Sequence, residues 1–302
     1  MILSISERTD IVAFYMPWFL KRLKEGYADV RNPFYPKQVS RILLDKNHID
    51  AIIFCTKNPL PLLKNIESIP FPFIVQVTIT PYLKEIEPNV PSKKRVLDAV
   101  KEISKIIGKE RVYVRYDPIF LSERYTISYH EKMFEKLCSE LENDVSRVII
   151  SFLDMKRNVL RNREILNLLP FTRENIEEIS DLIGRIAKSH HLEVSTCAEK
   201  IDLSSFGIQK KGCTTEEDIH KIVEKPISLK KNTTRENCGC IDTVDLGFYN
   251  TCSHFCKYCY ANYDEPQVVR NRSLHHPNSS LLIGELEEGD IIKVRGELNN
   301  KK

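Results

Sequence analysis

Six short runs rich in Val, Ile and Leu most constrain this chain. They lie at 2–6, 49–55, 73–80, 111–116, 147–153 and 192–196. Runs of this length, apolar with little alternation, suit parallel strands covered on both faces. Helical patterns fall between them. Val96, Val100, Ile103 and Ile107 share one face, with Gly108 as a stop. Ser128 and Glu131 form a capping box ahead of Phe134, Leu137 and Leu141. Thr172 similarly precedes Ile176, Ile179, Ile183 and Ile186. The alternation predicts βα units and an α/β fold: a TIM-like partial barrel with about six units.

The division expected is a βα barrel-like domain over 1–205 and a cysteine-rich C-terminal segment over 206–302 that completes the site. Residues 225–235 read as a connection, 241–246 as one more strand, and 281–286 with 290–294 as a hairpin. The terminal 299–302 reads as frayed. Trp18, Phe14 and Phe19 read as core.

Several function classes fall away on composition. Lys and Arg number 45 against 42 Asp and Glu, a net charge of +3. That balance, with no basic stripe carrying interleaved aromatics, argues against a nucleic-acid partner. Neither a dinucleotide fingerprint nor a P-loop is present. No apolar run reaches the ~18 residues of a membrane span, so no membrane partner is expected. Charges at Glu7, Arg8 and Asp10 come too early for a signal peptide, and the expected location is cytoplasmic.

Nine cysteines are present, six of them after residue 210. An odd, clustered set in a reducing compartment points to metal rather than disulfides. The sharpest signal is Y-N-T-C-S-H-F-C-K-Y-C-Y-A-N at 249–262, which sets Cys252, Cys256 and Cys259 in C-x3-C-x2-C spacing. Three thiolates on one loop can hold a [4Fe–4S] cubane and leave one iron without a protein ligand. The competing reading is a structural zinc site, though zinc takes a complete tetrahedral set.

This loop resembles the cluster loop of the radical S-adenosylmethionine (SAM) superfamily, C-x3-C-x-aromatic-C. The resemblance implies that Cys252, Cys256 and Cys259 bind the cluster and that Tyr258 contacts adenine. It implies SAM as cofactor, chelated by the free iron, and a 5′-deoxyadenosyl radical that takes hydrogen from a small-molecule or other substrate. A cellular reductant such as flavodoxin or ferredoxin would supply the electron. Here the loop lies past residue 250 instead of after the first strand, and no Gly-Gly-Glu segment accompanies it. A circular permutation, with 241–246 in the place of the usual first strand, would reconcile the two.

The whole chain resembles the DUF1848 proteins. The matching blocks are S-E-R-T-D-I-V-A-F-Y (6–15), C-T-K-N-P-L-P-L (55–62), Q-V-T-I-T-P-Y (76–82), V-R-Y-D-P-I (114–119), T-C-A-E-K-I-D-L (196–203) and the cysteine loop. Three alternatives stand beside the radical SAM-like reading. They are a non-catalytic iron–sulfur protein for electron transfer or redox sensing, a zinc-stabilised barrel, and a spore photoproduct lyase-like DNA-repair enzyme, whose loop also carries C-x-Y-C-Y.

Cys213, Cys238 and Cys240, with Gly239 allowing two thiolates to converge, form a candidate second metal site, Fe–S or Zn, with Cys197 as fourth ligand. Separate reduced thiols are the alternative. Cys138 reads as core, and Cys55 as packing.

Active-site side chains in βα barrels come from the C-terminal ends of strands. Those ends supply Arg8, Asp10, Lys57, Gln76, Thr78, Thr80, Arg115, Asp117, Asp154 and Glu199. Arg115 and Asp117 lead the catalytic candidates, followed by Glu199, Arg8, Asp10 and Lys57. Gln76 and Thr78 are candidates for cofactor binding. Each alone also reads as a helix cap or a supporting ion pair. His254 either covers the cluster or faces solvent. His275 and His276 show no partner in sequence.

Overall fold

The computed structural model describes residues 1–224, 226–233 and 238–295. In chain order the elements are β1 (Ile2–Ile5), α1 (Ile11–Phe14), α2 (Met16–Glu25), β2 (Tyr27–Arg31), β3 (Gln38–Leu43), β4 (Ala51–Thr56), α3 (Leu60–Leu63), β5 (Phe73–Thr78) and α4 (Lys93–Ile107). They continue with β6 (Val112–Ile119), α5 (Ile127–Leu141), β7 (Arg147–Phe152), α6 (Arg157–Arg161), α7 (Arg163–Leu166), α8 (Arg173–Ser189) and β8 (Glu193–Thr196). The last are β9 (Gln209–Lys210), α9 (Glu216–His220), β10 (Val244–Asp245), α10 (Glu265–Ser273) and β11 (Ile291–Arg295).

All six apolar runs become neighbouring strands of one parallel sheet, in the order β10-β1-β4-β5-β6-β7-β8-β9. Period-two alternation divides their side chains between two faces. One face packs Leu3, Ile5, Ile52, Phe54, Val75, Val77, Val114 and Val148 against the apolar stripes of the helices. The other face gathers Ile2, Ala51, Ile53, Ile74, Tyr113 and Ile149 into a second cluster with Cys197, Ile219, Val223 and Ile241. It is called the inner face below.

Residues 206–302 contribute both edge strands. β10 lies parallel to β1, Leu3 opposite Val244, and runs directly into the cysteine loop. Of the strand expected at 241–246, only Val244–Asp245 pairs into the sheet, at its edge beside the first strand. Among the described residues no ladder joins β9 to β10.

Several expectations need correction. The cap of α5 is Thr126, whose side chain accepts from the Tyr129 N–H, not Ser128. Thr172 caps α8 as expected, its box completed by Asn175. The hairpin expected at 281–286 with 290–294 does not form. Instead β11 lies parallel to β3 in a small second sheet with β2, and Leu281 bridges Asp29. The Arg31 guanidinium forks onto Asp290 at 2.7 and 2.8 Å and holds the start of β11 there. Residues 299–302, and Lys225, Thr234 and Arg235 of the expected connection, lie outside the described residues. Cys138 is core, as are Trp18 and Phe19. Phe14 is half-buried against the His254 ring.

Candidate metal centre and charged strand ends

The inner-face parity of β5 and β6 continues from Ile74 and Tyr113 to Gln76 and Arg115, and then to Thr78 and Asp117. Polar groups thus succeed apolar ones toward the C-terminal ends of the strands.

Arg115 forks onto Asp117 at 3.3 and 2.5 Å and reaches Gln76 Oε1 at 3.1 Å. Gln76 in turn donates to the Cys213 carbonyl at 2.9 Å and to Thr214 Oγ1 at 2.7 Å. Burial opposes the charge on Arg115, but Asp117 and the Cys213 and Cys197 thiols outweigh it and raise its pKa. Thr78 stands opposite Arg115 in register. Ser151 approaches Asp117 at 3.5 Å.

The thiols beside Arg115 form the tightest potential ligand set. The sulfurs of Cys197, Cys213 and Cys240 all lie within 4.8 Å of one another. Cys197 and Cys240 are 3.8 Å apart, and the Cys213 N–H donates to the Cys240 sulfur at 3.1 Å. Cys238 hydrogen-bonds to Cys197. Hydrogen bonding among these thiols, with burial, raises Cys197 and pushes Cys240 up to about 12. A cation among them would favour the thiolates instead.

A second charged group sits nearer the strand mouths. Glu87 receives Lys57 at 2.8 Å, Lys93 at 2.7 Å and Thr80 Oγ1 at 2.6 Å, and the Tyr258 hydroxyl donates to it closely. Burial would raise the Glu87 pKa, but the two lysines hold it well below the usual carboxylate range. Lys57 also lies over the Tyr258 ring, 5.4 Å from its centroid.

The cysteine loop covers this end. Cys252, Cys256 and Tyr258 are buried, and Cys259 is half-buried. Burial raises all three thiols, while Lys57 pulls Cys256 and Cys259 back toward the thiolate. Asn262 accepts from the Cys252 N–H at 3.4 Å and donates to its carbonyl, closing the loop on itself. Asp10 ties the loop to the sheet. It caps α1 at the Ala13 N–H, accepts from Thr56 Oγ1 and the Lys57 N–H, and contacts His254 Nε2 at 3.0 Å. His254 is 2% exposed, which overturns the solvent-facing alternative.

The expected residues thus divide. Asp10 and Lys57 meet the cysteine loop, and Arg115, Asp117 and Gln76 meet the Cys213 group. Arg8 pairs with Asp245 of β10 at 2.5 Å, and Glu199 accepts from the Phe152 N–H at 2.9 Å. Asp154 is exposed. Tyr258 packs its ring beside Tyr82 and Phe120. Cys55 is half-buried, 3.8 Å from Gln76 Oε1. His275 does have partners: the Leu282 carbonyl at 2.7 Å and the Tyr15 ring. His276 Nδ1 accepts from the Asn278 N–H at 3.3 Å.

Sequence reasoning missed Glu87 and Lys93. Glu87 lies between β5 and α4 in Y-L-K-E-I-E-P-N, where three charges fall within four residues and no motif marks one of them. Only its contacts with Lys57 and Tyr258, 30 and 171 residues away, distinguish it.

The fold and these side chains define a class: a parallel α/β protein whose strand ends carry clustered thiols and buried charge pairs, with a candidate metal-binding cysteine group. The family model described as "Domain of unknown function (DUF1848)" matches residues 2–261, and the chain belongs to that family. Neither the curated proteins nor the solved structures give a match. Among the described residues, no helix is long and apolar enough to cross a membrane.

Proposed function

We propose that this protein is a radical SAM-like iron–sulfur enzyme. In this reading Cys252, Cys256 and Cys259 hold a [4Fe–4S] cluster at the mouth of a TIM-like partial barrel. The observation that carries it is the donor set of the loop. Two buried thiols and one half-buried thiol share one loop, and the loop's own imidazole is engaged at both nitrogens, by Asp10 at 3.0 Å and the Asn89 carbonyl at 3.3 Å. His254 therefore does not complete a tetrahedral set. Among the described residues, only the Cys197 group draws its ligand atoms within 4.8 Å. The three loop thiols do not all fall within that distance of one another.

When bound, such a cluster supplies one electron and an open iron for SAM. The chain's own residues do the rest. Lys57, half-buried beside Cys256 and Cys259, offsets the negative charge that a thiolate-bound cluster brings. Glu87 fixes Lys57, and through the Tyr258 hydroxyl it braces the residue before the third cysteine. Arg115, Asp117 and Thr78 offer charged and polar groups to a small-molecule substrate. A flavodoxin- or ferredoxin-class reductant delivers the electron.

Protein prepared without oxygen tests this. It is expected to absorb near ~400 nm, to hold about four irons at the loop, and to convert SAM with reductant to 5′-deoxyadenosine. Cys256→Ala is expected to lose both iron and that product while keeping its far-UV dichroism. Iron-free wild-type protein after anaerobic reconstitution overturns the reading.

A further inference from the structure

Among the described residues the two edges of the large sheet are not hydrogen-bonded to each other, yet the chain segments beside them touch. Just after β9, Thr214 O accepts from the Ile241 N–H at 3.2 Å, and the Cys213 N–H meets the Cys240 sulfur. The backbones lie face to face at two glycines. A Cβ on Gly212 would fall 2.4 Å from the Gly239 carbonyl carbon and oxygen, and one on Gly239 would fall 2.9 Å from the Gly212 nitrogen. Side chains are thus excluded where three sulfurs gather within 4.8 Å, those of Cys197 from the end of β8, Cys213 from beyond β9 and Cys240 from the approach to β10; Cys238, on that same approach, joins them through its hydrogen bond to Cys197.

We propose that Cys197, Cys213, Cys238 and Cys240 bind one divalent ion of the zinc class, which joins the two edges of the sheet. Four thiolates on a single zinc, with Zn–S near 2.3 Å in a tetrahedron, place sulfurs about 3.8 Å apart. Cys197 and Cys240 are 3.8 Å apart, and with Cys213 they fit within 4.8 Å. Thiolates of a cubane, each on its own iron, stand farther apart. The surroundings suit four thiolates. Arg115 faces Cys213 and Cys197 with a positive charge, and the Cys213 N–H already donates to one sulfur. Binding one zinc releases the four thiol protons to solvent and changes no oxidation state. The site is separate from the loop cysteines and stands whether or not these hold iron.

The test is a metal inventory on protein expressed with both zinc and iron supplied, for wild type, Cys256→Ala, Cys213→Ser and Cys240→Ser. One zinc per chain is expected in wild type and in Cys256→Ala, and at least a tenfold loss in the two serine variants. Cobalt exchanged into the Cys256→Ala protein should give the visible bands of a tetrahedral thiolate site. Wild-type protein without zinc overturns the proposal. So does iron with labile sulfide persisting in Cys256→Ala, which would place a cluster at the seam. Should the serine variants prove insoluble, the other two proteins decide: zinc and the cobalt bands in Cys256→Ala support the proposal, and zinc lost with Cys256 refutes it.

Discussion

At the scale of the residue, Glu87 concentrates the most electrostatic consequence in one side chain. It is buried and faces two ammonium groups, so removing its charge leaves those two cations facing each other. Glu87→Gln is expected to cost about 3–5 kcal/mol at pH 7, the range for breaking a buried pair. The sign with pH follows from the depressed folded pKa. The carboxylate's contribution is fully present above its unfolded value of 4.5 and is lost as pH falls through that value toward the folded one. Urea midpoints of wild type and Glu87→Gln should therefore converge between pH 7 and pH 3.5. An equal gap at both would show that charge is not its source.

Among the elements, legibility followed burial. The six inner strands of the eight-stranded sheet announced themselves because both of their faces are covered, so most of the runs are largely apolar. The small sheet did not. Tyr27–Arg31 reads Y-A-D-V-R, with its charges paired through Asp29 and Arg41 in the fold. The parallel partner of β3 is β11, about 250 residues later in the chain, and no local pattern predicts such a pairing. The position of the α5 cap was missed because Thr126 and Ser128 both precede the same apolar stripe. The two sites predict different outcomes. Thr126→Ala should cost about 1 kcal/mol in thermal or urea unfolding, since it removes the bond to the Tyr129 N–H. Ser128→Ala should fall within about 0.5 kcal/mol of wild type.

Across the whole molecule, the loop cysteines were legible because their spacing is local. The Cys197 group was only half so, as its members are brought together by three separate stretches of chain. Gly212 and Gly239 are the physical reason those stretches can meet, and they set a test. Gly212→Ala is expected to destabilise the protein by about 1–3 kcal/mol through overpacking. It should also increase protease cleavage within 211–214 and 238–241, with the far side of the sheet, β4 to β6, unaffected in hydrogen exchange. Uniform loss of protection would show that the seam is not a local contact.

The place of β10 beside β1 has a consequence for synthesis. During translation β1 keeps one edge open until residues 244–245 arrive. At about 5–20 residues per second that is tens of seconds of translation. The cysteine loop emerges immediately afterwards, so its three sulfurs come together only once the sheet beneath them is nearly all made. A chain cut short before residue 244 would leave an open strand edge, available to other nascent chains, and no loop thiols to load.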